Sequence, residues 1–256
     1  LDKAERAAEG RGESAPDRRM DLLQAFAYPM PIKVISDMLG IPMEDRETVN
    51  AWAEEFLRID RRDPAREKAA QATLRAFERY LIELFERRRR APTDDMISQL
   101  VHATEEGDTL DEGELLSMVI ILYFAGFVTT VNLIGNGVVA LLTHPGELAR
   151  FRAEPSLVKG VVEETLRYWG PVDFPSNYRT AREDLELSGT LIPKGARVTI
   201  GLASANRDPE RFTHPDTFDV TRPDASRHIA FGRGIHLCIG APLARIEAEV
   251  AFETLF

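Results

Sequence analysis

The 256-residue sequence contains a single cysteine, Cys238. One cysteine cannot form a disulfide within the chain, which excludes a disulfide framework and favours a reducing compartment. The sequence also lacks an excess of positive charge, since 32 Lys and Arg against 42 Asp and Glu give a formal net charge of −10. Because an acidic chain binds phosphate backbones poorly, no nucleic-acid partner is expected. No signal peptide or targeting tag is recognisable, and we therefore expect a cytoplasmic protein.

One long segment lacks charged residues altogether. No Asp, Glu, Lys or Arg occurs within residues 115–143, a stretch long enough to cross a bilayer. Polar residues such as Thr130, Asn132 and Asn136 interrupt the segment, and no aromatic belt or basic flank frames it. A helix that is apolar on all sides can also form the centre of a large soluble domain. We therefore expect a buried helix and no membrane partner.

Hydrophobic periodicity predicts a mainly α fold. Apolar residues recur at helical spacing over the first two-thirds of the sequence, whereas strand-like alternation is confined to residues 185–187 and 197–200. We expect one domain over residues 1–256, helical to about residue 170, followed by a small sheet, a coil and a last helix. Thr93 is the predicted N-cap of the helix at residues 94–103. The predicted helices cover residues 31–39, 44–59, 66–90, 94–103, 111–143, 146–152, 156–169 and 238–256.

The chemically most informative segment is residues 231–240, with the sequence F-G-R-G-I-H-L-C-I-G. A lone cysteine is by default a small buried hydrophobic residue. Here, however, Gly232, Gly234 and Gly240 flank Cys238, and glycines let the backbone bend sharply and approach a ligand closely. The predicted helix start at Cys238 would stabilise a thiolate through free N–H groups and the helix dipole. This arrangement suits either a metal ligand or a nucleophile.

The segment resembles the haem-binding loop of the cytochrome P-450 family, F-G-x-G-x-H-x-C-x-G, and matches it at every fixed position. The resemblance implies that Cys238 is the thiolate ligand of the iron in haem b, iron protoporphyrin IX. It also implies that Phe231 and Gly232 bind the cofactor, and that His236 and Arg179 bind the haem propionates. Without Cys238, a core histidine and a surface cation would be the plainer interpretations of His236 and Arg179.

A second match is the pair Glu164 and Arg167, three residues apart on a predicted helix. At this spacing an exposed salt bridge of little energetic value is the default interpretation. In the family, however, the Glu-x-x-Arg pair is buried and meets a basic residue from the coil. Arg222 is the matching candidate here. The resemblance thus implies a structural network that fixes the coil beneath the haem and is costly to break.

A third match is residues 125–130, A-G-F-V-T-T, which resemble the oxygen-binding signature of the family's distal helix. The resemblance implies that Ala125 and Gly126 lie close to the porphyrin. It also implies that the Thr129 hydroxyl lies on the side of the haem where oxygen binds and hydrogen-bonds the bound oxygen or a water. A helical threonine bonded to its own backbone is the alternative. The family usually carries Asp or Glu directly before this threonine, whereas Val128 cannot relay a proton. We hypothesise that Val128 slows or reroutes protonation.

The resemblance extends over essentially the whole chain and implies the soluble bacterial type of the family, truncated at both ends. It predicts haem between residues 125–129 and Cys238, and a mostly apolar substrate pocket with Asp173 and Ser176 as polar handles. The predicted pocket residues are Phe124, Ala125, Val128, Val172 and Phe174.

The implied activity is that of a monooxygenase, an oxidoreductase that activates O₂ and typically hydroxylates or epoxidises a small organic substrate, with natural-product biosynthesis as a candidate setting. Electrons would come from NAD(P)H through a ferredoxin or flavodoxin-type partner. A peroxide-driven peroxygenase is an alternative that Val128 permits, because peroxide arrives with its own protons. A non-catalytic haem- or ligand-binding protein and an all-α interaction scaffold remain further alternatives.

Overall fold

The structure, a computed structural model, describes residues 20–57, 62–105, 108–175 and 178–256. Within these ranges helices predominate and the strands are short, so the predicted mainly α fold class is confirmed. The chain divides into two compact units, Leu1–Val128 and Thr129–Phe256. The boundary between the two units falls inside one long helix.

The first unit is built around aromatic side chains. Phe77 is buried, and its ring centroid lies 5.4 Å from that of Tyr123 and 6.3 Å from that of Trp52.

The helix predicted over residues 44–59 begins later than expected, and Ile59 lies outside the described residues. The elements are a π-helical turn Leu23–Ala27, α1 (Pro29–Leu39), a 3₁₀ turn Met43–Asp45, α2 (Arg46–Leu57), α3 (Pro64–Arg90), α4 (Met96–Val101), the paired strands β1 (Thr104–Glu105) and β2 (Asp108–Thr109), and the start of α5 (Glu112–Thr143).

A polar contact joins α1, α3 and α4. Gly40 ends α1 with a φ of +78°, a left-handed conformation that favours glycine, and a side chain there would overlap Asp95. Asp95 caps α4 by accepting from the Ser98 N–H at 2.6 Å. Arg88 donates to the Asp95 carboxylate at 2.6 Å and to the Gly40 carbonyl oxygen at 2.7 Å. The predicted cap at Thr93 is therefore wrong, because the Thr93 hydroxyl donates to Asp95 instead.

The second unit combines helices with two antiparallel strand pairs, β3 with β6 and β4 with β5. Two glycines mark close approaches: a side chain at Gly137 would overlap the Phe252 ring, and one at Gly160 would overlap the Val220 carbonyl oxygen. The elements are the rest of α5, α6 (Pro145–Ala153), a 3₁₀ turn Pro155–Leu157, α7 (Val158–Trp169), β3 (Arg179–Thr180), β4 (Leu185–Leu187), β5 (Thr190–Ile192), β6 (Arg197–Val198), α8 (Leu202–Ala205), 3₁₀ turns Ala225–Arg227 and Gly234–His236, and α9 (Ala241–Leu255).

The last helix begins three residues later than predicted. Gly240 precedes α9, and Pro242 lies in its first turn, where the missing N–H costs little. The Cys238 N–H donates to the Phe231 carbonyl oxygen at 2.9 Å, a bond across the preceding loop. Cys238 therefore belongs to the loop and not to the helix.

The long uncharged segment forms α5. By length and composition alone this helix could cross a membrane, and 39% of its most apolar window is buried within the protein. Tyr123 and Phe127 are fully buried in the first unit, and Leu133 and Ile134 are buried in the second. These core positions favour the expected interpretation of α5 as a buried helix of the protein.

Candidate functional site

The loop at residues 231–240 is folded on itself by its own backbone. Gly232 and Gly234 have φ values of +73° and +70°, a region that other residues rarely adopt. The Gly232 N–H donates to the Ile229 carbonyl oxygen at 2.8 Å, and the Leu237 N–H donates to that of Gly234 at 3.0 Å. Together with the bond from Cys238 to Phe231, these contacts fix the turn that presents the cysteine.

Cys238 is free and exposed at the end of this turn. It lines a cleft of about 1020 Å³ within the second unit. Its neighbours Leu237 and Ile239 are 59% and 86% exposed, and Ile235 is 97% exposed. An exposed thiol among exposed apolar side chains fits a flat, apolar group such as a porphyrin, which would cover both.

Among the described residues, no group of three or more His, Cys, Asp or Glu side chains could hold a metal ion. The residues present fit haem on these two grounds, the exposed thiol and the apolar surroundings.

A charged cluster that sequence reasoning missed lies against Phe231. Arg245 on α9 donates to Glu163 on α7 at 2.5 Å, and its guanidinium lies 4.6 Å from the Phe231 ring centroid. His228 Nε2 lies 3.2 Å from a Glu163 oxygen. The Ala230 N–H donates to His228 Nδ1 at 3.1 Å. The cluster thus ties two helices to the first residue of the loop.

The electrostatics of this cluster favour a charged Glu163. Burial alone would raise the pKa of Glu163, but the contacts with His228 and Arg245 lower it to about 2. No local pattern could have identified the cluster, because 82 residues separate Glu163 from Arg245.

Glu164, Arg167 and Arg222 form one buried network. Arg167 donates from Nε and Nη2 to the two carboxylate oxygens of Glu164, at 2.7 and 2.8 Å, and both side chains have no exposed surface. Arg222 Nε donates to Glu164 at 3.1 Å, and so does the backbone N–H of Asp219 at 3.0 Å. The remaining Arg167 donors reach coil carbonyl oxygens, those of Asn206, Pro215 and Thr217. All five N–H groups of Arg167 are therefore used: two bind Glu164 on the same helix, and three hold the coil against α7.

The residues of the predicted distal signature lie on α5, on both sides of the unit boundary. In the first unit, Gly126 lies against Ile35, and a Cβ on Gly126 would be 3.0 Å from that side chain. Ala125 is exposed and Val128 is half-buried. The Phe124 ring lies 4.6 Å from that of Phe56. The assigned roles of these residues stay predictions.

In the second unit, Thr129 is half-buried and is followed by the buried Thr130. The Thr130 hydroxyl donates to Glu247 on α9 at 3.3 Å. Burial raises the pKa of Glu247 to about 7, against the opposing effect of the Thr130 hydrogen bond. Sequence reasoning missed Glu247 because a single glutamate on an amphipathic helix carries no signal of its own.

The remaining predicted residues are mostly exposed. Arg179 on β3 is paired with Val198 of β6, and His236 lies in the 3₁₀ turn before Cys238; both side chains are exposed. Val172 is half-buried, and Phe174 is 62% exposed. Ser176, a predicted polar handle, lies outside the described residues. Propionate and substrate binding by these residues stay predictions.

Comparison with known proteins gives one consistent result. The family profile described as Cytochrome P450 matches residues 56–256. The chain is 47% identical over 243 residues to the cytochrome P450 monooxygenase PikC of Streptomyces venezuelae, covering 94% of this chain and 57% of that protein. It is 41% identical over 238 residues to the 6-deoxyerythronolide B hydroxylase of Saccharopolyspora erythraea, covering 93% and 57%.

Comparison with solved structures agrees with the sequence comparisons. The solved structure of PksS, a cytochrome P450 of the bacillaene polyketide synthase from Bacillus subtilis, matches with a TM-score of 0.87 and 41% identity. The match covers 99% of this chain and 63% of that one. The chain thus spans less than two thirds of the length of each of these three relatives.

Proposed function

Because the chain belongs to the cytochrome P450 family, we propose that it forms the larger part of a haem-thiolate monooxygenase. The observation that carries this proposal is the loop that ends at Cys238, where two glycines with positive φ present an exposed thiol among exposed apolar side chains. Haem b, when bound, supplies the activation of O₂ and the insertion of one oxygen atom into the substrate. Cys238 would bind its iron as a thiolate.

The other residues would hold and orient the group. Phe231 and Gly232 would contact it beside the thiolate, and Ala125 and Gly126 would do so from the distal signature. Arg179 and His236 would bind its carboxylates, since both are exposed donors. The Thr129 hydroxyl would hold a proton on the side of the haem where oxygen binds.

The proposed substrate is a small organic molecule, in the setting of natural-product biosynthesis. Support comes from two similar proteins, the 6-deoxyerythronolide B hydroxylase and PksS of a polyketide synthase. Phe124, Val128, Val172 and Phe174 would supply apolar contact surface, as is typical of small-molecule pockets.

The proposed electron source is NAD(P)H through a ferredoxin or flavodoxin-type protein in the cytoplasm. Exposed Arg211, Arg227 and Arg233 line the cleft beside Cys238, although the chain as a whole is acidic. A local positive surface on an acidic protein would orient an anionic partner by charge complementarity.

The test is the visible spectrum of the reduced protein with carbon monoxide, recorded for this chain and for the chain extended by the flanking segments of a relative. The strongly red-shifted Soret band of a thiolate-bound haem is expected, and Cys238→Ala should abolish it. Absence of the band from both forms would contradict the proposal. A band in the extended form alone would support the site and assign haem retention to the flanking segments.

A peroxygenase is the second candidate, favoured by Val128 in the position where the family usually carries an acid. A protein of this kind would form product with hydrogen peroxide and not with O₂, NAD(P)H and a reductase. Comparing product yield under the two conditions separates the candidates.

A further inference from the structure

Phe231 is contacted at its ring by two side chains and at its carbonyl group by the cysteine. The Arg245 guanidinium lies 4.6 Å from the ring centroid, within the roughly 6 Å of a cation–π contact. The centroid of the His228 ring lies 5.9 Å from the same ring centroid. The Phe231 carbonyl oxygen accepts the Cys238 N–H at 2.9 Å. A displacement of Phe231 would therefore be passed on to the backbone of Cys238.

Glu163 fixes the orientation of the Arg245 guanidinium. Arg245 donates from Nε and Nη2 to the two oxygens of the Glu163 carboxylate, at 2.5 and 3.3 Å. Because the guanidinium is planar, pairing two of its donors with one carboxylate sets the plane that it presents to the Phe231 ring. The Glu163 and Arg245 side chains are 17% and 32% exposed, so water screens this ion pair only in part.

His228 contacts both Glu163 and the backbone beside Phe231. Its side chain is 2% exposed, and its Nε2 lies 3.2 Å from a Glu163 oxygen. Its Nδ1 accepts the N–H of Ala230, the residue directly before Phe231. The three charged or polar side chains of this cluster, Glu163, His228 and Arg245, thus reach the ring of Phe231 and the chain that enters the loop.

We propose that Arg245 is a positioning residue of the cysteine loop, oriented by Glu163. It holds the Phe231 ring and, through the Phe231 carbonyl oxygen, keeps the Cys238 backbone in the position in which the sulfur can bind iron. This inference rests on the proposed monooxygenase function, because Cys238 acts as an iron ligand only there. Arg245 contacts neither the reacting atoms nor the substrate in this role.

Positioning and a simple effect of charge make different predictions. Arg245 carries a positive charge and Glu163 a negative one, so removing either charge would change the electrostatic potential at Cys238 in opposite directions. Loss of either partner, however, releases the guanidinium from its fixed orientation over the Phe231 ring. Positioning therefore predicts that Arg245→Leu and Glu163→Gln change the loop in the same way.

The first experiment measures hydrogen exchange of the Cys238 amide by NMR, in the chain without haem. Arg245→Leu and Glu163→Gln should each speed this exchange about tenfold, the size expected for loss of one partly desolvated cation–π contact. An exchange rate that Arg245→Leu leaves unchanged would overturn the proposal. Arg152→Leu is the matched control, because it removes an arginine that lies over another ring, that of Phe256. This control should leave the Cys238 amide as protected as before.

Two further measurements keep the first experiment decisive. The Gly195 N–H, bonded to the Ala181 carbonyl oxygen at 2.9 Å, reports on a different turn of the same unit and should stay equally protected in every variant. Arg245→Lys keeps the charge but lacks the planar fork, and it replaces Arg245→Leu if that variant does not fold. We expect Cys238 exchange in Arg245→Lys to be faster than in the unaltered chain. Equal rates would show that the charge alone suffices and would contradict the positioning role.

The second experiment uses the haem-loaded protein. Arg245→Leu and Glu163→Gln should both lower the share of reduced protein that shows the red-shifted carbon monoxide band. The double variant should lose no more than the more affected single variant, because both changes disable one unit. Reduction potentials that shift in opposite directions in the two single variants, with the full carbon monoxide band kept, would indicate a charge effect and refute positioning.

The two proposals fail in different ways. If the unaltered protein shows no thiolate-haem band, the monooxygenase proposal fails, and the positioning role of Arg245 fails with it whatever the exchange rates are. If the band is present, and Arg245→Leu keeps both the full band and the exchange rate of the Cys238 amide, the Arg245 proposal alone is overturned.

Discussion

Three glutamates of the second unit, the half-buried Glu163 and the buried Glu164 and Glu247, have different electrostatic neighbours. Glu163 lies between an arginine and a histidine, and its pKa is lowered to about 2. Glu164 accepts from two arginines and a backbone N–H. Glu247 meets one hydroxyl, and its pKa is raised to about 7. At the scale of single residues, desolvation favours the neutral acid unless a cation compensates for it.

The lowered pKa of Glu163 predicts a loss of stability in acid. Its ordinary value is 4.5 and its value in the fold is about 2. The carboxylate therefore stabilises the fold above pH 4.5, and this contribution is lost as the pH falls from 4.5 through about 2. We expect Glu163→Gln to lower the free energy of unfolding at neutral pH by roughly 2 kcal/mol after screening.

Urea unfolding at several pH values measures this effect. The difference in the free energy of unfolding between Glu163→Gln and the unaltered chain should become smaller as the pH falls. For the exposed control Glu253→Gln, the corresponding difference should not depend on pH. A difference that stays constant with pH would contradict the role assigned to the Glu163 charge.

Replacing Val128 with an acid is expected to increase the amount of product formed per electron consumed. Val128→Glu restores an acid directly before Thr129, so proton delivery should become faster and more of the consumed electrons should appear in product. Product yield per NAD(P)H consumed is the measurement.

Val128→Gln is the matched control, since it has the shape of glutamate and no acid. If Val128→Glu and Val128→Gln give the same yield as the unaltered protein, position 128 does not limit protonation.

At the scale of elements, local patterns could be predicted and distant partners could not. Helical periodicity identified α3 and α7, because apolar residues recur in them every three to four positions, and the long uncharged run identified α5. The Glu164–Arg167 spacing also predicted a pair on one helix face. The partners of Glu163, at His228 and Arg245, depend on how the coil and α9 return to α7, which no local spacing encodes.

Two helix starts were predicted wrongly, because a cap or a loop hydrogen bond decides which residue is the first of the helix. Thr93 has the residue type of a cap, but Asp95 accepts the N–H of Ser98 and so starts α4. Cys238 was expected to open the last helix, but its N–H bonds back to Phe231 and Gly240 precedes α9. Both outcomes depend on hydrogen bonds that close only once the loop has folded.

The Asp95 contact predicts which change would loosen the first unit. Asp95→Ala removes the cap of α4 and leaves the partly buried Arg88 without its carboxylate, so we expect a loss of roughly 3 kcal/mol in the free energy of unfolding. Asp95→Asn keeps a capping oxygen and should cost less. The exposed neighbour Asp94→Ala is the control. Chemical denaturation followed at Trp52 measures the three variants, and equal stability of Asp95→Ala and Asp94→Ala would contradict this interpretation.

At the scale of the whole molecule, composition and pattern predicted a mainly α chain, and the fold confirms it. The expectation of a single domain over residues 1–256 stays a prediction, because the chain divides into two compact units. What argues for one cooperative domain is α5, which runs from Glu112 to Thr143 without interruption and contributes core side chains to both units. A helix cannot unfold in one half without losing backbone hydrogen bonds at the boundary.

The two tryptophans allow a direct test, because Trp52 lies in the first unit and Trp169 in the second. In Trp169→Phe the fluorescence reports on the first unit, and in Trp52→Phe it reports on the second. We expect both signals to change at the same denaturant concentration and with the same slope as the helical circular dichroism, since coincident transitions are the mark of two-state unfolding. Two separate midpoints would instead show that residues 1–256 contain two domains, and that α5 unfolds in two steps at the boundary between Val128 and Thr129.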